Sequence, residues 1–395
     1  MESTLARAAA SSRALEQHLR ALPAEQQPNW ANPELAANAA NVLHEESPLV
    51  RPAEVEALSQ ALAKVATGGA HLVQAGDCAE PLIDMTTEVV SAKVSALHRL
   101  GAAVTERTGL PVVHIGRIAG QYAKPRSAPF DIVGGEAFPA YRGCLVNDAR
   151  AEGPLRQHDA ARLVWAMTAA RSIQRQLRRL PGPRVWSSHE ALVLDYELPQ
   201  LVATRTGRHI LGSAHTVWIG ARTNSLEQAH VALAAAVDNP VACKVGPNVS
   251  TDHIRELANR IDPHRTPGRL TLIARMGAAI ERLPSLVRVV RDEGHPAIWL
   301  TDPMHGNTVL GPDGRKTRYL DRITHEFVRF QEILAAESVH TGGVHLETTI
   351  DAVNECLDND LQMRSPSAPF TSLCDPRLTT EQALAVISHW DGGES

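Results

Sequence analysis

A (β/α)8 barrel is the fold class this sequence predicts, and three observations carry the prediction. After Gly69, short apolar runs alternate with longer amphipathic stretches. The short runs number eight. Each carries an ionisable or ligand-type side chain at or just beyond its C-terminal end, as expected where functional groups gather at the C-terminal face of a barrel. A doubly wound open sheet shows the same alternation, but no run here leads into a GxGxxG or Walker-type phosphate loop.

Taken in order, residues 1–69 precede the alternation and read as a helical extension. Leu15, Leu19 and Leu22 fall on one face, and Val55, Leu58, Leu62 and Val65 on another. Pro23, Pro28, Pro33, Pro48 and Pro52 cut this region into short pieces, so it is expected to lie against a larger body or another subunit. Residues 70–395 then form the barrel with its C-terminal segment. Strands are expected at His71–Gln74, Val112–Ile115, Arg184–Ser187, Thr216–Ile219, Val241–Val245, Leu270–Ala274, Ala297–Thr301 and Gly343–Leu346. Helical spacing separates most of them, as in Val90/Val94/Leu97, Leu163/Met167/Ile173, Ile254/Leu257/Ile261 and Phe327/Phe330/Ile333/Leu334.

Composition narrows the function classes. The 395 residues are 44% hydrophobic and 21% charged, which excludes a disordered or collagen-like chain. Thirty-nine basic against 44 acidic residues give a net charge of -5, so no nucleic-acid footprint is present. No apolar run approaches the roughly 18 residues that a membrane span requires. The start Met1-Glu2-Ser3-Thr4 is no secretory signal. Five unevenly spaced cysteines do not make a disulfide framework. A soluble, cytoplasmic enzyme is the expectation.

The strand ends carry Asp77-Cys78, Arg117, His189-Glu190, Arg222, Lys244, Arg275, Asp302 to His305, and Glu347. Arg117, Arg222, Lys244 and Arg275 would converge in a mouth roughly ten ångströms across. Four like charges repel strongly in a low dielectric, so anions are expected between them. The arginine fork suits phosphate and carboxylate, and lysine acts as a point charge. The loop Arg117 to Ser127 adds Lys124, Pro125, Arg126 and Ser127, either a second phosphate site or a solvated basic loop. Cys78, His305 and Glu347, with Asp375 as a fourth, offer a mixed S/N/O set for Mn, Co, Fe or Zn. His189 reads as a general acid/base or as a hydrogen-bonded structural histidine. Trp186, Trp218 and Trp299 read as packing.

These segments also resemble a known family. Gln74-Ala75-Gly76-Asp77-Cys78-Ala79-Glu80, Gly116 to Ser127, Ser188-His189-Glu190-Ala191-Leu192, Trp218-Ile219-Gly220, Lys244-Val245-Gly246-Pro247, Arg275-Met276-Gly277, Asp302 to Asn307, Gly343 to Glu347 and Cys374-Asp375-Pro376-Arg377-Leu378 resemble type II (plant-like) 3-deoxy-D-arabino-heptulosonate 7-phosphate (DAHP) synthases, in the same order. The resemblance implies a barrel that condenses phosphoenolpyruvate with erythrose 4-phosphate, with a divalent metal, Mn2+ or Co2+ before Zn2+ or Fe2+. It implies Cys78, His305, Glu347 and Asp375 as metal ligands. Arg117, Arg222, Lys244 and Arg275 would hold phosphoenolpyruvate, and Lys124, Pro125, Arg126 and Ser127 the aldose phosphate. Lys244, Arg117 and His305 form the expected catalytic set, with Lys244 as proton donor. A homo-oligomer is expected, with no nucleic-acid or membrane partner.

Three departures from the family pattern stand out: Ala221 replaces an acidic residue before Arg222, Ala75 a glycine, and Cys144 an aspartate. Ala221 keeps open a modified or amino aldose phosphate as acceptor, and a catalytically silent partner-binding relative is the reading from another class. The 56 residues between Ser127 and Arg184 leave no room for the inserted helical pair that supports feedback inhibition in longer members. Weak feedback and a role in specialised metabolism are therefore expected. If Cys374 lies near Cys78, oxidation would join them and displace the metal.

Overall fold

Buried on both faces, as parallel strands are, eight strands close into one ring. They are β1 (His71–Gly76), β2 (Val112–Arg117), β3 (Val185–Glu190), β4 (Thr216–Ile219), β5 (Val241–Val245), β6 (Leu270–Ala274), β7 (Ile298–Thr301) and β8 (Thr341–Thr349). Each pairs in parallel with the next, and β1 returns to β8 in register from Leu72↔Gly343 to Gly76↔Glu347. That closure excludes the open sheet. The computed structural model describes residues 2–204, 206–311, 313–359, 361–362 and 369–391.

The expected bounds of β4, β5 and β6 match those observed. β1, β2, β3 and β8 run further toward their C-terminal ends: the added residues of β2, β3 and β8 include polar side chains that an apolar-run criterion cuts off, and those of β1 are Ala75 and Gly76. Helices α1 (Glu2–Arg20), α2 (Pro33–Glu45) and α3 (Pro52–Ala66) precede the barrel. Around it lie α4 (Thr87–Thr108), α5 (Ala161–Leu177), α6 (Ala229–Ala236), α7 (Thr251–Ile261), α8 (Leu283–Asp292), α9 (Leu320–Ala336) and α10 (Thr380–Ile387). Between β3 and β4 the alternation breaks: a one-turn helix (Leu194–Glu197) and a hairpin (Leu201–Ala203 with His209–Leu211) replace a long helix. Among the described residues, no helix is long and apolar enough to cross a membrane.

Helix α3 closes the bottom of the ring. Pro52 starts it, and Glu54 accepts the Arg51 N–H at 2.9 Å in a capping-box arrangement. Its face of Leu58, Leu62 and Val65 packs with Leu72, Ile115, Trp186, Trp218, Ile273 and Leu300 from the strands. The helix ends at Ala66, with only four residues between it and the start of β1 at His71, so it must lie at the N-terminal end of the barrel. The opposite, C-terminal end is left for chemistry.

Candidate active site

Side chains alternate along a strand, so every second residue enters the barrel. Ile115, Ala242, Ile273 and Leu300 lie in the cluster packed on α3. Two residues further along each chain stand Arg117, Lys244, Arg275 and Asp302. The same period brings His345 and Glu347 inward from β8. Of these, Arg117, Lys244, Arg275 and Glu347 border a cavity of about 460 Å³ at the C-terminal mouth, lined also by Gln121, Lys124, Pro125, Arg126, Ser127, Glu190, Trp218, Ala221, Arg222, His305, Thr308, Lys316 and Asp375.

The cations are held by specific partners. Arg117 donates to the Asp77 carbonyl at 2.9 Å, to Glu347 Oε1 at 3.0 Å and to His345 Nε2 at 2.6 Å. Lys244 Nζ lies 2.8 Å from Asp302 Oδ2. Both cations sit over the Trp218 ring, at 4.9 and 5.9 Å from its centroid. Trp218 is thus the floor of the cavity as well as packing. The expectation that only outside anions balance this cluster needs correction, since Glu347 and Asp302 are themselves buried within it. Arg222 Nη2 donates to Ser127 Oγ at 2.6 Å, and Arg275 Nη2 to the His305 carbonyl at 3.2 Å. Among the described residues, neither Arg222 nor Arg275 pairs with a carboxylate.

The donor groups cluster beside the cations. Donor atoms of His305, Glu347 and Asp375 all lie within 4.8 Å of one another. His305 Nδ1 is 2.7 Å from Asp302 Oδ2, and its Nε2 is 3.2 Å from Glu347 Oε1. Lys124 Nζ bridges Glu347 at 3.0 Å and Asp375 at 2.7 Å. Burial alone would raise the Glu347 carboxyl, but His305, Lys124 and Arg318 hold it well below its ordinary value. An ionised carboxylate pair with an imidazole suits a hard-to-borderline divalent cation, so the donor set fits one. Cys78 does not join this group of three. Its Sγ faces Ser372 Oγ at 3.4 Å, and the neighbouring Cys374 is the largest cause lowering its pKa.

Two strand-end residues face away from the cavity, because alternation turns them outward. His189 Nε2 bonds Glu197 Oε1 at 2.7 Å in the packing behind β3, which favours its structural reading. Asp77 pairs with Lys93 at 2.7 Å and Arg377 at 2.8 Å. Conversely, Arg318 went unnoticed in the sequence. It is fully buried and donates to Glu347 Oε2 at 2.7 Å and Thr308 Oγ1 at 2.8 Å. It follows no strand of the barrel, so strand-end logic could not find it; His345, two residues before Glu347, could have been found by period two.

The loop after β2 is shaped by buried partners. The Glu80 carboxylate accepts the N–H groups of Ala119, Gly120 and Gln121 at 3.2, 3.1 and 2.9 Å. Gly143 has a φ of +95°, and a Cβ there would stand 2.1 Å from the Tyr122 carbonyl oxygen, so only glycine fits. Cys144 donates its thiol to the Glu80 carbonyl at 2.9 Å.

Comparison with known proteins agrees with this geometry. A model of the class-II DAHP synthetase family matches residues 14–182 and 167–389. A probable phospho-2-dehydro-3-deoxyheptonate aldolase of Pseudomonas fluorescens is 45% identical over 375 aligned positions, covering 92% of this chain and 94% of that protein. The phospho-2-dehydro-3-deoxyheptonate aldolase of Mycolicibacterium smegmatis is 37% identical over 428 positions, covering 93% of this chain and 91% of its own. The corresponding Streptomyces coelicolor protein is 37% identical over 427 positions, covering 92% and 94%. Alignments of 428 and 427 positions exceed the 395 residues of this chain, so those two relatives carry segments that it lacks.

Proposed function

The chain belongs to the class-II DAHP synthetase family, and on that premise we propose that its barrel mouth condenses phosphoenolpyruvate with D-erythrose 4-phosphate to DAHP and phosphate, the first step of the shikimate pathway. The observation that carries this reading is the single cavity lined by Arg117, Lys124, Arg126, Arg222, Lys244 and Arg275. Two multiply anionic substrates need such a lining.

In this reading Arg117, Arg222, Lys244 and Arg275 bind the carboxylate and phosphate of phosphoenolpyruvate. Lys124, Pro125, Arg126 and Ser127 bind the phosphate of the aldose. Holding both removes much of the entropic cost of a bimolecular encounter. The enol π pair of phosphoenolpyruvate then forms a bond from C3 to the aldehyde carbon, and the aldehyde oxygen takes up a proton. Lys244 is the assigned donor: burial first, opposed by Asp302, lowers its pKa, which favours proton release. Water adds to the cation left at C2. Glu190, whose Oε1 has no hydrogen-bond partner among the described residues, is the base assigned to its proton. The hemiketal phosphate collapses by C–O cleavage and releases phosphate. A divalent cation held by His305, Glu347 and Asp375, with Cys78 beside that group as the fourth donor, Mn2+ or Co2+ in first place, would supply Lewis acidity toward the aldehyde oxygen when bound.

The test is loss of the enol-phosphate absorbance of phosphoenolpyruvate, with and without erythrose 4-phosphate, after reconstitution with metal. Consumption that needs both the aldose and Mn2+ or Co2+ supports the reading; consumption independent of the aldose sinks it. Ala221, which lines the cavity beside Arg222, favours one second reading, a modified or amino aldose phosphate as acceptor. An acceptor panel separates the two. The extra segments of the longer relatives support a compact enzyme with weak feedback control, serving specialised metabolism. Strong inhibition by Trp, Phe or Tyr would remove that part of the proposal.

A further inference from the structure

The loop read above as the aldose phosphate site is held from outside the barrel. Gln26 lies in the linker between α1 and α2, and its side-chain amide pairs with the backbone of Arg126. The Arg126 N–H donates to Gln26 Oε1 at 3.0 Å, and Gln26 Nε2 donates to the Arg126 carbonyl at 3.3 Å. The Gln26 carbonyl and Oε1 also accept from Nη2 of Arg142. Arg142 in turn accepts the Lys124 N–H on its carbonyl, at 2.9 Å. One linker residue therefore touches both chain segments that shape the loop.

Two further observations say that this contact is built. Gln26 has a φ of +61°, a left-handed conformation that is uncommon for a residue other than glycine. Residues held in such conformations cluster where surrounding structure imposes a function. The linker is also fastened on both sides of Gln26. Gln27 donates to the Leu192 carbonyl at 2.8 Å and accepts the Leu194 N–H at 2.9 Å. Pro23 accepts the Ala229 N–H at 2.9 Å, and the Ala31 N–H donates to the His158 carbonyl at 3.0 Å. Arg126 and Arg142 stand close enough to repel, which calls for oxygen atoms between them and the rest of the structure. Asp131 supplies a carboxylate to Arg126, and Gln26 supplies two neutral oxygens to Arg142.

We propose that Gln26 is a positioning residue for the acceptor half of the site: the N-terminal linker sets the backbone of Lys124–Ser127 at the spacing that receives the aldose phosphate. The inference rests on reading that loop as the acceptor site. It makes the N-terminal segment part of the active site without contact to substrate.

Steady-state kinetics of the full chain test it with Gln26→Ala, Gln26→Gly and Gln26→Glu. Both Gln26→Ala and Gln26→Gly should raise KM for erythrose 4-phosphate about tenfold and leave KM for phosphoenolpyruvate within about twofold, as loss of three partly buried side-chain hydrogen bonds implies. Gln26→Glu keeps the acceptor for Arg126 N–H and should recover part of the loss. Wild-type KM in Gln26→Gly would show that φ, and not the amide pairing, matters, and would overturn the proposal. Equal rises in both KM values would overturn it as well. Arg126→Ala separates the two readings. If it raises the acceptor KM while Gln26→Ala does not, the positioning role falls and the loop assignment stands. If Arg126→Ala changes nothing, the loop assignment falls and this inference falls with it.

Discussion

Nε2 of His345 accepts a hydrogen bond from the Arg117 guanidinium at 2.6 Å, in the buried centre of the barrel below the cavity. Arginine only donates, so Nε2 must carry the lone pair and Nδ1 the proton. Gln74 completes that assignment, since its Oε1 lies 2.8 Å from Nδ1. Gln74 Nε2 then donates to Ser188 Oγ at 2.9 Å, and Ser188 to the Gly116 carbonyl at 2.9 Å. A directed chain of hydrogen bonds thus aims Arg117.

Gln74→Leu leaves the Nδ1–H unpaired in a buried place, at a cost of about 1–3 kcal/mol. The expected result is a kcat/KM for phosphoenolpyruvate about tenfold lower. Gln74→Glu keeps an acceptor there and should lose less. Equal activity in Gln74→Leu and the wild type would separate Arg117 orientation from catalysis.

Chelation should abolish condensation, and Mn2+ or Co2+ should restore it. Asp375→Asn and Glu347→Gln should each weaken metal binding measured by calorimetry, since each removes a charge from the cluster of three. Full activity in a metal-stripped sample would end the metal assignment. The contact between Cys78 and Cys374 adds a second readout. Oxidation of the metal-free protein should remove two of the five free thiols, and bound metal should protect them.

Leu62→Ala probes the plug under the barrel. Leu62 is buried against strand side chains, and a truncation of this kind costs about 2–5 kcal/mol. A urea midpoint within error of the wild type would mean that α3 contributes little to closing the barrel.

Glu54 links α3 to α5 and to the start of β3, through Arg178 at 2.9 Å and Arg184 at 2.8 Å. Burial alone would raise its carboxyl, but hydrogen bonds from Arg178 and the Arg51 N–H bring it down from 4.5 to about 2. A lowered folded-state pKa means stability that is complete above the unfolded value and lost as pH falls through the folded one. Glu54→Gln should therefore be less stable at neutral pH, and the difference should shrink on acidification from about 4.5 toward about 2. A gap that stays constant across that window would refute the linkage.

Much of this architecture was legible along the chain. Thr216–Ile219, Val241–Val245 and Leu270–Ala274 are apolar runs with sharp boundaries, and they match β4, β5 and β6. Arg117, Lys244, Arg275 and Glu347 were legible as a group because a polar residue at the C-terminal end of a buried strand has few places to go except the mouth. Asp77 and His189 met the same criterion and face away, since adjacent positions on a strand point to opposite sides. A one-residue difference in phase is invisible until register is known.

Hydrophobic periodicity and the chemistry of strand ends are local properties, and they sufficed for the barrel class, its strand positions and the basic character of the mouth. Register, closure and contacts across long stretches of chain are not local. Gln26 meets Arg126 across 100 positions, Arg117 meets His345 across 228, and Arg318 reaches Glu347 from a loop with no strand pattern. Such pairs form only when packing brings remote segments within about 3 Å, the range over which a hydrogen bond acts. Residue types announce which groups can bond, and the closed barrel selects which of them meet.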